Sequence, residues 1–258
     1  MKGKKEKKEF LHKLLVRLKD EKHKEKVNIS FDRYKIDEEE IIPIINALRG
    51  YANLLQLQLC WHNVTVPALE ILGNFIGEHK QLESLILRGN TIYCEELVPI
   101  AQGIGKNSSL LIVDLKDNNF DKKGAVALAD ALKINKTLKR LNLHNNFIYN
   151  DGAKALADSL AVNNTLESLT LTRNGVEEEG YGNFATALSS NNTLKELDLH
   201  YFEFGRTGLV LQTMIKYNNM DVSEDERKKL KNGVEGYVDA MSKDEQLRHL
   251  TLSFLSGM

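Results

Sequence analysis

The 258-residue chain holds three prolines, two cysteines and one tryptophan, and each scarcity excludes something. Two cysteines cannot build the dense disulfide framework of a small secreted domain. No apolar run is long enough for a signal peptide or a membrane span, so a reducing, cytoplasmic setting is expected and a membrane role is not. The sequence also lacks a glycine-rich phosphate loop, C-x-x-C, H-E-x-x-H and a serine elbow. No enzymatic activity, cofactor, small-molecule substrate or metal site is therefore expected.

What the chain does have is a period. Residues Leu138 to Ile148 read L-x-x-L-x-L-x-x-N-x-I, and with Leu138 as position 1 the template starts again at Leu54, Leu82, Leu110, Leu166 and Leu194, each 28 residues after the last. One step back, at Lys26, the residues Ile29, Phe31 and Ile36 still fill positions 4, 6 and 11. One step forward, at Val222, the pattern fails and returns only at Leu247, so an insertion precedes the final segment. A fixed period of this length means stacked repeats, each burying its apolar face only against its neighbours.

Positions 4 and 6 alternate inward on a short strand. Position 9 is asparagine at Asn90, Asn118, Asn146 and Asn174, a buried amide that donates and accepts where the chain leaves the strand. This row breaks at Tyr34, His62, Phe202 and Leu255. The second half of each repeat spaces apolar residues by three and four, as in Ala125, Leu128, Ala129 and Leu132, which is a helical face. Asn135 and Asn163 at the helix ends are expected to close them in the left-handed conformation. Right-handed β–α winding then gives an α/β solenoid, with a parallel concave sheet of about eight strands and helices on the convex side.

The 28-residue spacing, Leu-Ala-Asp-Ala-Leu at 128–132 and the Asn-x-Thr-Leu joints from Asn135, Asn163 and Asn191 resemble ribonuclease-inhibitor-type leucine-rich repeats over roughly residues 27–218. Related domains occur in NOD-like receptors, the Ran GTPase-activating protein and tropomodulin. The resemblance implies a leucine-rich repeat horseshoe and a non-catalytic scaffold that binds a protein partner through its concave face. It also implies two alternatives. One is regulation of a small GTPase, against which stand the longer array and acidic tail of the Ran activator, where this chain ends in Ser-Gly-Met. The other is actin or cytoskeletal capping, since the joint from Lys133 to Lys139 is similar to one in tropomodulin.

Six N-x-S/T sequons occur, at Asn28, Asn63, Asn107, Asn135, Asn163 and Asn191. The last four share one repeat position and are read as structural, not as glycan acceptors. Cys60 and Cys94 fall at positions 7 and 13, on opposite surfaces, so no disulfide joins them. The cysteine-rich end caps of secreted leucine-rich proteins are absent.

Residues 1–26 carry eleven Lys or Arg against five Asp or Glu, a charge of +6 in a chain of −1. They are read as a basic tail and a capping helix, with Phe10, Leu11, Leu14, Leu15 and Leu18 as one stripe over the open end of the first repeat. The solenoid proper is 27–219. Its first helix spans about Asp37 to Leu48 and includes Pro43, which predicts a start after Glu39 or a kink. Residues 220–258 are read as an inserted helix, opened by a capping box at Ser223 to Glu226, and a last strand from Leu247 to Phe254 whose edge is open.

Positions 2, 3, 5, 7 and 8 project from the strands and are not demanded by repetition, so binding specificity is sought there. Towards the N-terminal end Trp61, Ile86 and Arg88 lie on adjacent strands with the composition of a hot spot. Asp114, Lys116, Arg140, His144 and Arg173 occupy the middle, and His200 and Tyr201 the C-terminal end beside Phe202. The basic row Arg88, Lys116, His144 is offset by Asp114 next to Lys116, so a protein of mixed charge is expected as partner in preference to nucleic acid. His144 and His200 share a row two strands apart, about 10 Å, with no third ligand between them.

Overall fold

The computed structural model describes residues 27–31, 38–60, 64–188 and 190–199, with 9, 12, 13, 16, 36 and 62 as single positions. Seven strands, β1 (Val27–Ser30), β2 (Leu54–Gln58), β3 (Ser84–Ile86), β4 (Ile112–Asp114), β5 (Arg140–Asn142), β6 (Ser168–Thr170) and β7 (Glu196–Asp198), form one parallel sheet in chain order. From β2 onward each strand residue pairs with the one 28 places further on, so Leu57, Leu85, Val113, Leu141, Leu169 and Leu197 make one row. The repeat period is thus the sheet register. The eighth strand, the inserted helix and the N-terminal stripe lie outside the described residues.

Between strands run α1 (Glu38–Leu48), α2 (Val66–Glu78), α3 (Val98–Lys106) after a 3-10 turn at Glu95–Leu97, α4 (Lys122–Ile134), α5 (Tyr149–Leu160) and α6 (Glu178–Leu188). Leu85, Leu87, Val113, Leu115, Leu141, Leu143, Leu169 and Leu171 are all buried. Each contributes about 1.5–3 kcal/mol by leaving water, which is what fixes the phase of the array. Among the described residues no helix is long and apolar enough to cross a membrane.

The helix containing Pro43 does not start late: it begins at Glu38 and runs through the proline. Proline there removes one N–H that would have met the carbonyl of Glu39. Ile41, Ile44, Ile45 and Leu48, all buried, more than offset that loss of about 3 kcal/mol.

Two buried asparagine ladders stitch the repeats. In the position 9 ladder, Asn118 donates from Nδ2 to the carbonyls of Leu87 (3.0 Å) and Leu115 (2.9 Å), and its Oδ1 accepts from the backbone N–H of Asn90 (3.1 Å) and Ile92 (3.2 Å). The second ladder occupies position 26. Asn135 donates to the carbonyls of Ile104 (2.7 Å) and Asn107 (3.0 Å), and its oxygen accepts from the N–H of Thr137 (2.9 Å) and Leu138 (2.7 Å). Asn163 and Asn191 repeat that arrangement.

The left-handed helix ends expected at these asparagines are not formed. Asn107 and Asn135 are extended, with φ −72° and −65°. The side chain itself satisfies a helix-end carbonyl of the previous repeat and two N–H groups of the link to the coming strand, so no backbone reversal is required. The same geometry explains the recurring sequons: the amides of Asn107, Asn135, Asn163 and Asn191 are buried and bonded at both ends.

His79 stands at position 26 in place of asparagine and copies its bonding. Its Nε2–H donates to the Tyr51 carbonyl (2.7 Å) and its Nδ1 accepts from the Gln81 N–H (3.3 Å). Burial holds its pKa below the ordinary 6.5, against the opposing pull of the Tyr51 carbonyl. The unfolded chain therefore takes up this proton at a higher pH than the folded one. The stability contributed by neutral His79 is complete above the unfolded value and is lost as pH falls from there towards the folded value. Urea midpoints of the full chain at about pH 7.5 and about pH 5.5 should show a drop that His79→Asn reduces, since asparagine fits the ladder without titrating.

Candidate functional site

Positions 4 and 6 are buried in the spine, so positions 3, 5 and 7 face the concave side. Most are small or polar at position 3: Gln56, Ser84, Arg140, Ser168 and Glu196. Ile112 departs from this and is 38% exposed, and Leu111 at position 2 is 39% exposed. The half-buried Ile86 lies one strand away. Strand pairing sets Arg140 directly beside Ile112, and no described residue pairs with its guanidinium. Leu111 and Ile112 are not among the candidate residues that the sequence suggests, although an apolar residue at position 3 is a visible departure from the polar residues of the other repeats from β2 onward.

Arg88 and Asp114 are a structural pair. Nε and Nη2 of Arg88 both donate to Oδ2 of Asp114, at 2.8 and 2.6 Å, and Asn142 Nδ2 donates to the same oxygen at 3.1 Å. Oδ1 accepts from the backbone N–H of Lys116 at 3.0 Å. The side chain of Asp114 is buried while Arg88 keeps an exposed edge. The expected neutralisation is present with different partners: Asp114 leans back to the preceding repeat and meets Arg88. The ammonium of Lys116 lies 3.8 Å from Asp117 instead.

His144 is held from two sides. Its Nδ1 is bonded to the hydroxyl of Thr172, and its backbone N–H donates to Asn142 Oδ1 at 3.0 Å. Desolvation, with the cations Lys116 and Arg173 adding to it against the carboxylates of Asp117 and Asp198, lowers its pKa. Thr172 is itself buried, as is Cys60, so position 7 does not project freely in every repeat. Among the described residues no group of three or more His, Cys, Asp or Glu converges. The two cysteines form no disulfide. Trp61, His200 and Tyr201 lie outside the described residues.

Position 8 is where the chain turns off the sheet, and it is left-handed in four successive repeats: Gly89 (φ 66°), Asp117 (57°), Asn145 (56°) and Arg173 (58°). Glycine, aspartate and asparagine tolerate that region, whereas a long side chain with a Cβ is strained there by about 1 kcal/mol. Arg173 is exposed, and no described residue pairs with its guanidinium. Arg173→Asn is expected to raise stability by about 0.5–1 kcal/mol, read as a higher urea midpoint.

A leucine-rich repeat family model matches residues 106–129 and 135–157. Comparison with curated proteins gave no match. Among solved structures, leiomodin-1 actin-binding site 2 is 28% identical over 52% of this chain and 76% of its own, with a TM-score of 0.45. The tropomodulin C-terminal domain of Caenorhabditis elegans is 15% identical over 75% of this chain and 98% of its own, with a TM-score of 0.47. No residue role is carried over from either. The matched repeats, the 28-residue register and the strand–helix unit agree with an α/β leucine-rich repeat solenoid and support the resemblance to the ribonuclease-inhibitor type.

Proposed function

We propose that the protein is a non-catalytic interaction scaffold whose concave face binds a protein partner around Ile112 and Arg140. The observation that carries this reading is Ile112, an apolar side chain exposed on the sheet and set beside Arg140, whose guanidinium no described residue pairs, with the exposed Leu111 next to it in the chain. A stacked array is rigid, so these side chains are preformed and little ordering entropy is lost on binding. Ile86, Arg88, Lys116, His144 and Arg173 extend the surface across neighbouring repeats. Trp61, His200 and Tyr201 are proposed as its continuation at the two ends. Mixed charge across the face favours a protein over nucleic acid.

The test is affinity purification with the full chain, comparing wild type with Ile112→Asp plus Arg140→Glu. Both sites are exposed, so the circular dichroism melt should be nearly unchanged. At least one partner held by the wild type should be lost. If every partner is recovered at full yield, the concave site is wrong. GTP hydrolysis by added small GTPases and pyrene-actin elongation separate the two roles implied by resemblance. Acceleration of the first or slowing of the second would replace the scaffold reading.

A further inference from the structure

A second surface lies on the rim where strands turn into helices, away from the concave spot. Among the described aromatic residues only Tyr93, Phe147 and Tyr149 are exposed, at 52%, 48% and 53%. Tyr93 and Phe147 belong to these turns, and Tyr149 opens α5. Tyr93 bridges Asn119 and Phe147 bridges Asp121 through the backbone, so the two residues flank the segment 119–121 from either side. Tyr149 follows two residues later in the left-handed conformation (φ 52°), and its ring lies where a Cβ on Gly175 would come within 2.7 Å. A bulky residue at positive φ is strained, and the strain serves to hold the ring out over Gly175.

The rim is acidic. Positions 8–15 of the four repeats, residues 89–96, 117–124, 145–152 and 173–180, carry eight Asp or Glu against three Lys or Arg. Both lysines are engaged within the rim, Lys122 by Asp151 at 2.7 Å and Lys123 by Glu95 at 2.6 Å, which leaves six carboxylates against Arg173. An excess of carboxylates around exposed aromatic faces suits a cation that also presents apolar surface: the rings take Lys or Arg by cation–π contact and the carboxylates set the field that attracts it.

We propose that this rim docks a basic segment of a partner protein, rich in Lys or Arg and interleaved with apolar residues. The occupant is inferred from charge complementarity, and it differs from what the concave face would take. The probe is a fluorescein-labelled synthetic 15-residue peptide of alternating lysine and leucine pairs, titrated with the full chain by anisotropy, with a glutamate–leucine peptide as control. The basic peptide should bind, should weaken as salt rises, and should lose about tenfold or more in Phe147→Ser plus Tyr93→Ser. Binding should persist in Ile112→Asp plus Arg140→Glu, so failure of the concave reading and of this one are distinguishable. Equal binding of the acidic peptide, or full binding by the rim variant with an unchanged melt, would overturn the proposal. Sedimentation of the full chain alone supplies the other arm. A dimer abolished by the rim variant would assign the rim to a second copy of this chain, and the partner-segment proposal would be withdrawn.

Discussion

Asn118→Ala is expected to lower the stability of the full chain by about 3–5 kcal/mol, because it orphans buried groups in two repeats at once. The amide of Asn118 serves the carbonyls of Leu87, Leu115 and Lys116, and its oxygen serves the N–H groups of Asn90 and Ile92. Each buried group left without a partner costs about 1–3 kcal/mol, and water cannot reach this site to relieve it. The defect falls in the middle of a chain of nearest-neighbour contacts, so the two halves should also uncouple and the urea slope should fall. Asn164→Ala is the control. Asn164 is exposed and makes none of the ladder bonds, and its replacement should stay within about 0.5 kcal/mol. A loss below about 1 kcal/mol for Asn118→Ala would show that the ladder is dispensable.

Gly103→Ala is expected to cost about 2 kcal/mol net, against an intrinsic helix gain of about 1 kcal/mol. A Cβ on Gly103 would lie 2.3 Å from the carbonyl oxygen of Gly73, and one on Gly73 would lie 2.3 Å from that of Pro99. The obstruction is backbone on both sides, so no rotamer change removes it and α2 and α3 must move apart. Gly182 in α6 provides the contrast, since a Cβ there meets nothing within 4 Å. Gly182→Ala should therefore stabilise by about 0.5–1 kcal/mol. Opposite signs from one chemical change in two helices would trace the effect to the contact between helices. If both variants stabilise, the close approach of α2 and α3 is not a constraint.

The architecture was legible because it is written 28 residues apart: Leu85, Val113, Leu141 and Leu169 occupy the row that the period assigns them. The asparagines of position 26 were equally visible as a repeat, but their role was misread. Sequence offers helix-end asparagine as a backbone device, and only coordinates reveal that the side chain spans to the preceding repeat. The candidate surface was legible in part. Arg88 and Asp114 fall at strand positions 7 and 5 by the period alone, yet which charges pair depends on lean and distance across strands, which spacing does not encode. Ile112 is apolar like the core residues around it, and only its exposure of 38% separates it from them. The exposed Phe147 was overlooked because its neighbour Ile148, one place on, is a core residue and the two look alike in a string of letters.

The register has an evolutionary corollary. Because the sheet and both ladders advance by the same increment, excision of residues 110–137 would join Ser109 to Leu138 and present every surviving strand with a neighbour in the proper frame. A protein of this kind can lengthen or shorten in whole repeats without renegotiating its interior, whereas a change of one residue within a strand would put every downstream leucine out of step. Its reach along a partner is therefore quantised.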